Sequence, residues 1–317
     1  MTTTSPTIAH YRNGNVEVQL HCDGTKTREW TGTACPEFPE SIDLKITDWC
    51  DAGCHYCHES STVRGRHADE TNIVSLLEGL PSGIELAIGG GNPLAHPKLD
   101  AILDVLRRTG FICNLTVNSQ HVKESIKHLE SLQQDGLIHG LGLSLCCSVQ
   151  ELTSLTKGLN KANIIVHLIA GVNRPFDALK LQNDGYKILI LGYKTYGRGA
   201  RPRSTVEGCL QEWNYWIETV MSRGNVGFDT LATKQLNLQA RLPEELWQLR
   251  YQGDDGTLSL YVDAVQMCYA VNSTSERVPF RVSDGITTAL DAFTRVSTNA
   301  HNKPNLEKGI GISIHSN

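Results

Sequence analysis

The sequence predicts an α/β fold, a partial (β/α)6 TIM-like barrel with an N-terminal β-hairpin and a small α+β C-terminal extension. Three observations predict it. From residue 41 to about 230, short apolar runs alternate with amphipathic stretches, the pattern of βα units and a parallel sheet. No Rossmann glycine fingerprint follows the first of those strands, which argues for an open barrel over a doubly wound sheet. Outside that span the pattern changes at both ends, giving appendage 1–40, barrel 41–230 and extension 231–317 with a disordered tail.

In the appendage, Asn15–Leu20 alternates, and Thr25–Trp30 pairs back on it across the Asp23-Gly24 turn signal. The barrel strands are Ile42–Ile46, Glu85–Ile88, Cys113–Val117, Leu141–Leu145, Ile164–Ile169, Lys187–Leu191 and Val226–Phe228. Between them, Thr71–Leu80 carries Ile73, Leu76, Leu77 and Leu80 at helical spacing. Leu99–Arg108, Val122–Leu132, Val149–Leu159 and Val206–Met221 behave alike. Beyond residue 230, Pro243–Tyr251 reads as a short helix, Leu258–Val265 as a strand and Ile286–Arg295 as a last helix. The polar stretch after Asn299 reads as a loose tail.

The chain has 317 residues, 40% apolar and 20% charged, as in ordinary globular proteins. No apolar run approaches a membrane span, and the first residues do not read as a signal peptide, so the expected location is cytoplasmic. Of ten cysteines, three are clustered and the rest are scattered without framework spacing, which fits a reducing compartment. A net charge of −5 does not advertise nucleic-acid binding. Lys187, Lys194, Arg198, Arg201 and Arg203 nevertheless lie close in sequence, either a solvated loop or an anion site.

The chemistry concentrates in Cys50-Asp51-Ala52-Gly53-Cys54-His55-Tyr56-Cys57. Three thiolates at C-x3-C-x2-C spacing can converge on one face of a [4Fe-4S] cluster, leaving one iron without a protein ligand. Zinc is the competing reading, since Cys50, Cys54 and Cys57 with His55 or His58 would complete a Cys3His set. Structural zinc loops usually bring ligands as two separated pairs, and no second CxxC occurs. The loop resembles that of the radical S-adenosylmethionine (radical SAM) superfamily. That resemblance implies SAM bound to the open iron and cleaved reductively to a 5′-deoxyadenosyl radical, which abstracts a substrate hydrogen atom.

Further residues extend the resemblance. Ile88-Gly89-Gly90-Gly91-Asn92-Pro93 is similar to the family's GGEP motif, with Gly90, Gly91 and Pro93 matching and Asn92 where Glu is usual. The resemblance assigns this turn to the methionyl amino group of SAM. It also makes Asn118 a candidate for polar contact with SAM or substrate, and places Ser144 in polar contact with SAM, Tyr56 beside the adenine, and Gly192 at the adenine edge through its backbone. Ile164–Asn173 is loosely similar to a stretch that packs on adenine. Cys146 and Cys147 are candidate hydrogen-atom donors to a substrate radical, or else buried hydrophobes. Lys194, Arg198 and Arg201 are candidate contacts to an anionic substrate group. His96 reads as structural, and Trp213 and Trp216 as packing.

The expected function is therefore that of a single-cluster radical SAM enzyme with a small-molecule, nucleotide or modified-base substrate. An electron donor such as flavodoxin or ferredoxin is the implied partner. Peptide or protein modification is the alternative within this chemistry, and a zinc- or cluster-stabilised binding protein without turnover is the alternative outside it. Only Cys268 lies beyond Cys209, which argues against auxiliary clusters.

Overall fold

A computed structural model describes residues 5–201, 204–251, 253–299 and 307–314. Arg203, named above in the basic run, lies outside them.

The appendage contains one strand more than the hairpin. Strands β1 (Thr7–Asn13), β2 (Val16–His21) and β3 (Thr25–Thr33) pair in sequence. The expected turn joins β2 to β3, closed by Gly24 N–H donating to the His21 carbonyl at 2.8 Å. Asp23 supports it by accepting from Thr25 N–H at 2.9 Å. The chain then enters the barrel at β4 (Ser41–Thr47), followed by β5 (Glu85–Gly90), β6 (Ile112–Asn118) and β7 (Gly140–Ser144). Next come β8 (Ile164–Ile169), β9 (Lys187–Leu191) and β10 (Val226–Phe228). All pair in parallel in chain order, at the positions the sequence predicts.

Helices α1 (Glu70–Leu76), α2 (Leu99–Thr109), α3 (Ser119–Gln134) and α4 (Val149–Leu155) fill the connections as expected. Helix α5 (Pro175–Asn183) was not foreseen, although Pro175 at its first turn is a start signal. After α6 (Thr205–Ser222), α7 (Thr230–Gln235) also goes beyond the sequence reading, capped by Asp229 accepting from Ala232 N–H. Helix α8 (Glu244–Arg250) matches its expectation.

The extension does not stand apart. β11 (Ser259–Asp263) pairs parallel to β4, then β12 (Cys268–Ala270) and β13 (Val278–Pro279) follow antiparallel, giving one ten-stranded sheet. Hydrogen bonds draw the β10 side towards the β11 side. Thr230, after β10, donates to Asp255 at 2.7 Å, and Asn272, after β12, donates to the same carboxylate at 2.8 Å. The sheet therefore curls into a partial barrel. Helix α9 (Ala289–Asn299) packs Ala289, Ala292 and Phe293 into the core. The loose-tail reading needs correction, because β14 (Glu307–Ile314) pairs antiparallel with β3 and completes a four-stranded sheet. Its Gly-Ile alternation is short, and only the partner strand makes it a strand.

Strand alternation divides the barrel into two environments. Ile42, Leu44, Ile46, Leu115, Val117, Leu141, Leu143, Val166, Ile188 and Ile190 join the helices in the apolar core. The intervening positions carry Asp43, Lys45, Thr47, Asn114, Thr116, Asn118, Ser144 and His167, a polar interior beneath the C-terminal strand ends. The underside is closed by the appendage through buried ions. Lys26 meets Glu85 at 2.6 Å, and Arg28 meets Glu40 at 2.7 Å.

Candidate active site at the cysteine loop

The cysteine loop leaves the C-terminal end of β4, where ligands of βα barrels bind. Two neighbouring loops hold its backbone. The glycine turn after β5 lies directly against it: Gly91 N–H donates to the Thr47 carbonyl and Asn92 N–H to the Trp49 carbonyl, each at 2.7 Å. A side chain on Gly90, whose φ is +123°, would meet the Thr47 carbonyl at 2.3 Å, and one on Gly91 would meet the Trp49 carbonyl at 2.2 Å. Asn92 is buried, and its side chain caps the short 3-10 turn Pro93–Ala95 by accepting from Leu94 N–H at 3.2 Å. His96 donates through Nε2 to the Ala68 carbonyl at 3.0 Å, while its Nδ1 accepts from Lys98 N–H at 3.1 Å.

The second hold comes from across the barrel. After β9, Arg198 donates through Nε to the Cys54 carbonyl at 2.8 Å and through Nη1 to the Ser61 carbonyl at 2.9 Å. Its backbone N–H donates to the Cys57 carbonyl at 2.9 Å. Side chains on Gly197 or Gly199 would strike the loop's carbonyls, at 2.4 Å for His58 and 3.1 Å for Tyr56. The Arg198 guanidinium, expected to contact substrate, is engaged here by the cysteine loop through Nε and Nη1. Lys194 donates to Ser273 Oγ at 2.8 Å, and Arg201 is exposed.

Cys54 is the best-connected of the three thiols. Asn118, at the end of β6, donates from Nδ2 to Cys54 Sγ at 3.3 Å and to Cys146 Sγ at 3.2 Å. Tyr56 Oη lies 2.8 Å from Cys146 Sγ, so the hydroxyl is joined to the thiol network and the ring meets His55 edge-on at 5.0 Å. The hydrogen bond from Cys146, with help from Tyr56 and Asn118, pulls the Cys54 thiol down to about 6. Cys146 and Cys147 part company: Cys147 packs half-buried against the core, and burial raises its thiol. Only Cys146 reaches the cysteine loop.

At Gly192 the backbone N–H is already taken up. Its N–H donates to Asp229 Oδ1 at 2.9 Å, and Tyr193 N–H donates to Gln235 Oε1 at 2.9 Å, so both amides are engaged by the protein. Ser144 stands on the inner face beside His167, its Cα partner on β8.

Sequence reasoning missed a charged network beside the loop. Lys45 Nζ, from the inner face of β4, meets Asp48 at 2.5 Å, Glu59 at 2.7 Å and Asp263 at 3.1 Å. Arg277 reaches Asp263 at 2.6 Å and Glu59 at 2.7 Å, and Tyr261 Oη donates to Glu59 at 3.1 Å. Burial opposes the charge on Glu59, but Lys45 outweighs it and holds the carboxyl down at about 2. The signal was available: a lysine at an inward position of a parallel strand needs buried counter-charges. Asp43, one inward position below, is pushed up to about 6 by burial.

His167 is deeply buried with Nε2 unpartnered among the described residues, and burial pushes it down to about 4. The neutral ring is favoured on folding, so its contribution is complete above pH 6.5 and declines as pH falls towards 4. Stability should drop by about 1.4 kcal/mol per pH unit across that window from this residue alone. Denaturation of His167→Gln, which has no such proton to gain, should show a correspondingly flatter acid limb.

The Radical SAM superfamily model matches residues 44–144, from β4 through the cysteine loop and glycine turn to the end of β7. Residues 44–144 carry the signature of the radical SAM superfamily. Two solved structures share the fold. Streptococcus suis SuiB bound to S-adenosylmethionine superposes with a TM-score of 0.54 at 12% identity, covering 77% of this chain and 64% of that one. SuiB bound to precursor peptide SuiA gives 0.55 at 12% identity, covering 86% and 65%. This chain thus spans just under two thirds of SuiB's length. No curated protein matches it in sequence.

The superfamily's cofactors are a [4Fe-4S] cluster and SAM. The donor set fits. A single zinc ion would need its thiolates drawn to about 3.8 Å from one another, given Zn–S bonds of about 2.3 Å. Among the described residues, Cys50, Cys54 and Cys57 do not gather even within 4.8 Å, whereas Cys50, Asp51 and His121 do. Three spread thiols on one clamped loop suit the wider face of a cubic cluster. No described helix is long and apolar enough to cross a membrane.

Proposed function

We propose that this chain is a radical SAM enzyme that holds one [4Fe-4S] cluster on Cys50, Cys54 and Cys57 and acts on a small molecule, nucleotide or modified base. The observation that carries the reading is the cysteine loop at the mouth of β4, held by the glycine turn and by Arg198. When bound, the cluster and SAM supply a primary carbon radical able to take hydrogen from an unactivated C–H bond. The chain's own residues position and shield. Gly90 and Gly91 let the β5 turn approach the cluster loop, and Asn92 and Pro93 fix that turn for the methionyl end of SAM. Ser144, on the inner face of β7, faces the polar interior where SAM and substrate meet. Lys194 and Arg201 remain candidates for contacts at the barrel mouth. A flavodoxin or ferredoxin is the proposed electron donor, in the cytoplasm.

A peptide substrate is the second reading, favoured by the likeness to SuiB, whose structure includes its precursor peptide. A zinc-holding protein without turnover is the third. The gathering of Cys50, Asp51 and His121 supports it, with His121 Nε2 and Asp51 Oδ1 2.8 Å apart.

Anaerobic purification with iron and sulfide analysis, then dithionite and SAM, separates these readings. About four irons per chain and 5′-deoxyadenosine on chromatography are expected. Cys54→Ala should lose most of the iron and all SAM cleavage. Stoichiometric zinc in a colourless, reconstituted protein would overturn the enzyme reading.

A further inference from the structure

Three separate elements converge on the sulfur side of Cys54. The Asn118 side chain is held at both ends. Its Oδ1 accepts from Gln120 N–H at 2.9 Å, capping α3, which turns the amide nitrogen towards the sulfurs. That nitrogen has two hydrogens, and two sulfurs lie within reach, at 3.3 Å and 3.2 Å. Cys146 is fixed in turn, because its backbone N–H donates to Ser119 Oγ at 2.9 Å. Tyr56, from the cysteine loop itself, closes the group at 2.8 Å from Cys146 Sγ.

We propose that Asn118 and Cys146 form a hydrogen-bonding shell on Cys54 that sets the reduction potential of the cluster. The proposal rests on the cluster reading above. A donor facing a ligating sulfur withdraws negative charge from it, which favours the reduced cluster over the oxidised one. Both residues act through Cys54, so they tune the centre without contacting substrate. This is a different task from the SAM contact expected of Asn118 and the hydrogen-atom donation expected of Cys146.

The variants can be chosen to keep the fold. Asn118→Asp retains the oxygen that caps α3 and replaces the donor with a negative charge that opposes reduction in the same direction, so Cys146→Ala, which adds no charge, is its control. Cys146→Ser retains a donor of similar size, whereas Cys146→Ala removes it. The measurement is a redox titration of the reconstituted cluster, followed by its reduced-state electron paramagnetic resonance signal without SAM. Iron and sulfide analysis of each protein comes first, and a wild-type chain lacking about four irons would sink the cluster reading instead of this one. With full clusters, Asn118→Asp and Cys146→Ala should each disfavour reduction by about tenfold in the equilibrium constant, equivalent to about 59 mV for one electron. Cys146→Ser should fall between Cys146→Ala and wild type. Potentials within error of wild type in both Asn118→Asp and Cys146→Ala would overturn the proposal. So would loss of iron in both, which would make the contacts merely structural.

Discussion

Arg198→Ala should release iron from the reconstituted protein about 10–100-fold faster in the presence of a chelator, the usual cost of removing a partner that orients metal ligands. The reason is local. Arg198 bonds the carbonyls of Cys54 and Ser61, on either side of Cys57, so one side chain ties both ends of the ligand-bearing turn to the β9 loop. Hydrogen bonds from a charged donor contribute about 1.5–3 kcal/mol each, and alanine removes both. Arg198→Lys supplies a point charge without the planar fork and should lie between the two. Release measured by chelator absorbance at an unchanged rate would show that the glycine turn alone suffices. Loss of substrate binding with cluster retention untouched would return Arg198 to the anion-contact role.

The second large effect is expected at the opposite end of the barrel. Glu40→Gln should destabilise the protein by about 3–5 kcal/mol, the range for breaking a buried ion pair from one side. Glu40 is 1% exposed and accepts from Arg28 Nε at 2.8 Å, with Lys26 3.7 Å away. Burial opposes its charge, but Arg28 and Lys26 outweigh that and hold the carboxyl below its usual range. The sign follows. Its stabilising contribution is present above the unfolded carboxyl range and is lost as pH falls through the lowered folded value. Chemical denaturation should show a lower midpoint with an unchanged slope. An unchanged midpoint would mean that the appendage contributes little to barrel stability.

Much of the barrel was legible because parallel strands buried on their helix side carry a strong periodic signal. Ile42–Ile46 and Lys187–Leu191 read as strands without any partner in view. The cysteine spacing and the glycine turn were legible for a similar reason, since each is a local constraint on a few neighbouring residues. Helix α7 was not legible, because six residues carry too little periodicity and its start depends on Asp229 as a cap. Strand β14 depends on β3, roughly 280 residues away in sequence. The Lys45 network was half legible: an inward lysine announces counter-charges but does not say that Glu59, Asp263 and Arg277 supply them.

The sequence by itself determined where the candidate centre lies, because three thiols within eight residues stay neighbours in any fold that keeps the loop. It also determined the barrel's repeating units, through alternation within single strands. Only the tertiary structure decided which side chains serve that centre. Arg198 became a clamp, Asn118 and Cys146 came to rest on Cys54, and Gly192 turned its amide to Asp229. Each of those contacts spans between 28 and 144 residues of chain, with no local periodicity to announce it. They exist because the curled sheet brings the ends of β4, β6, β7 and β9 to one mouth.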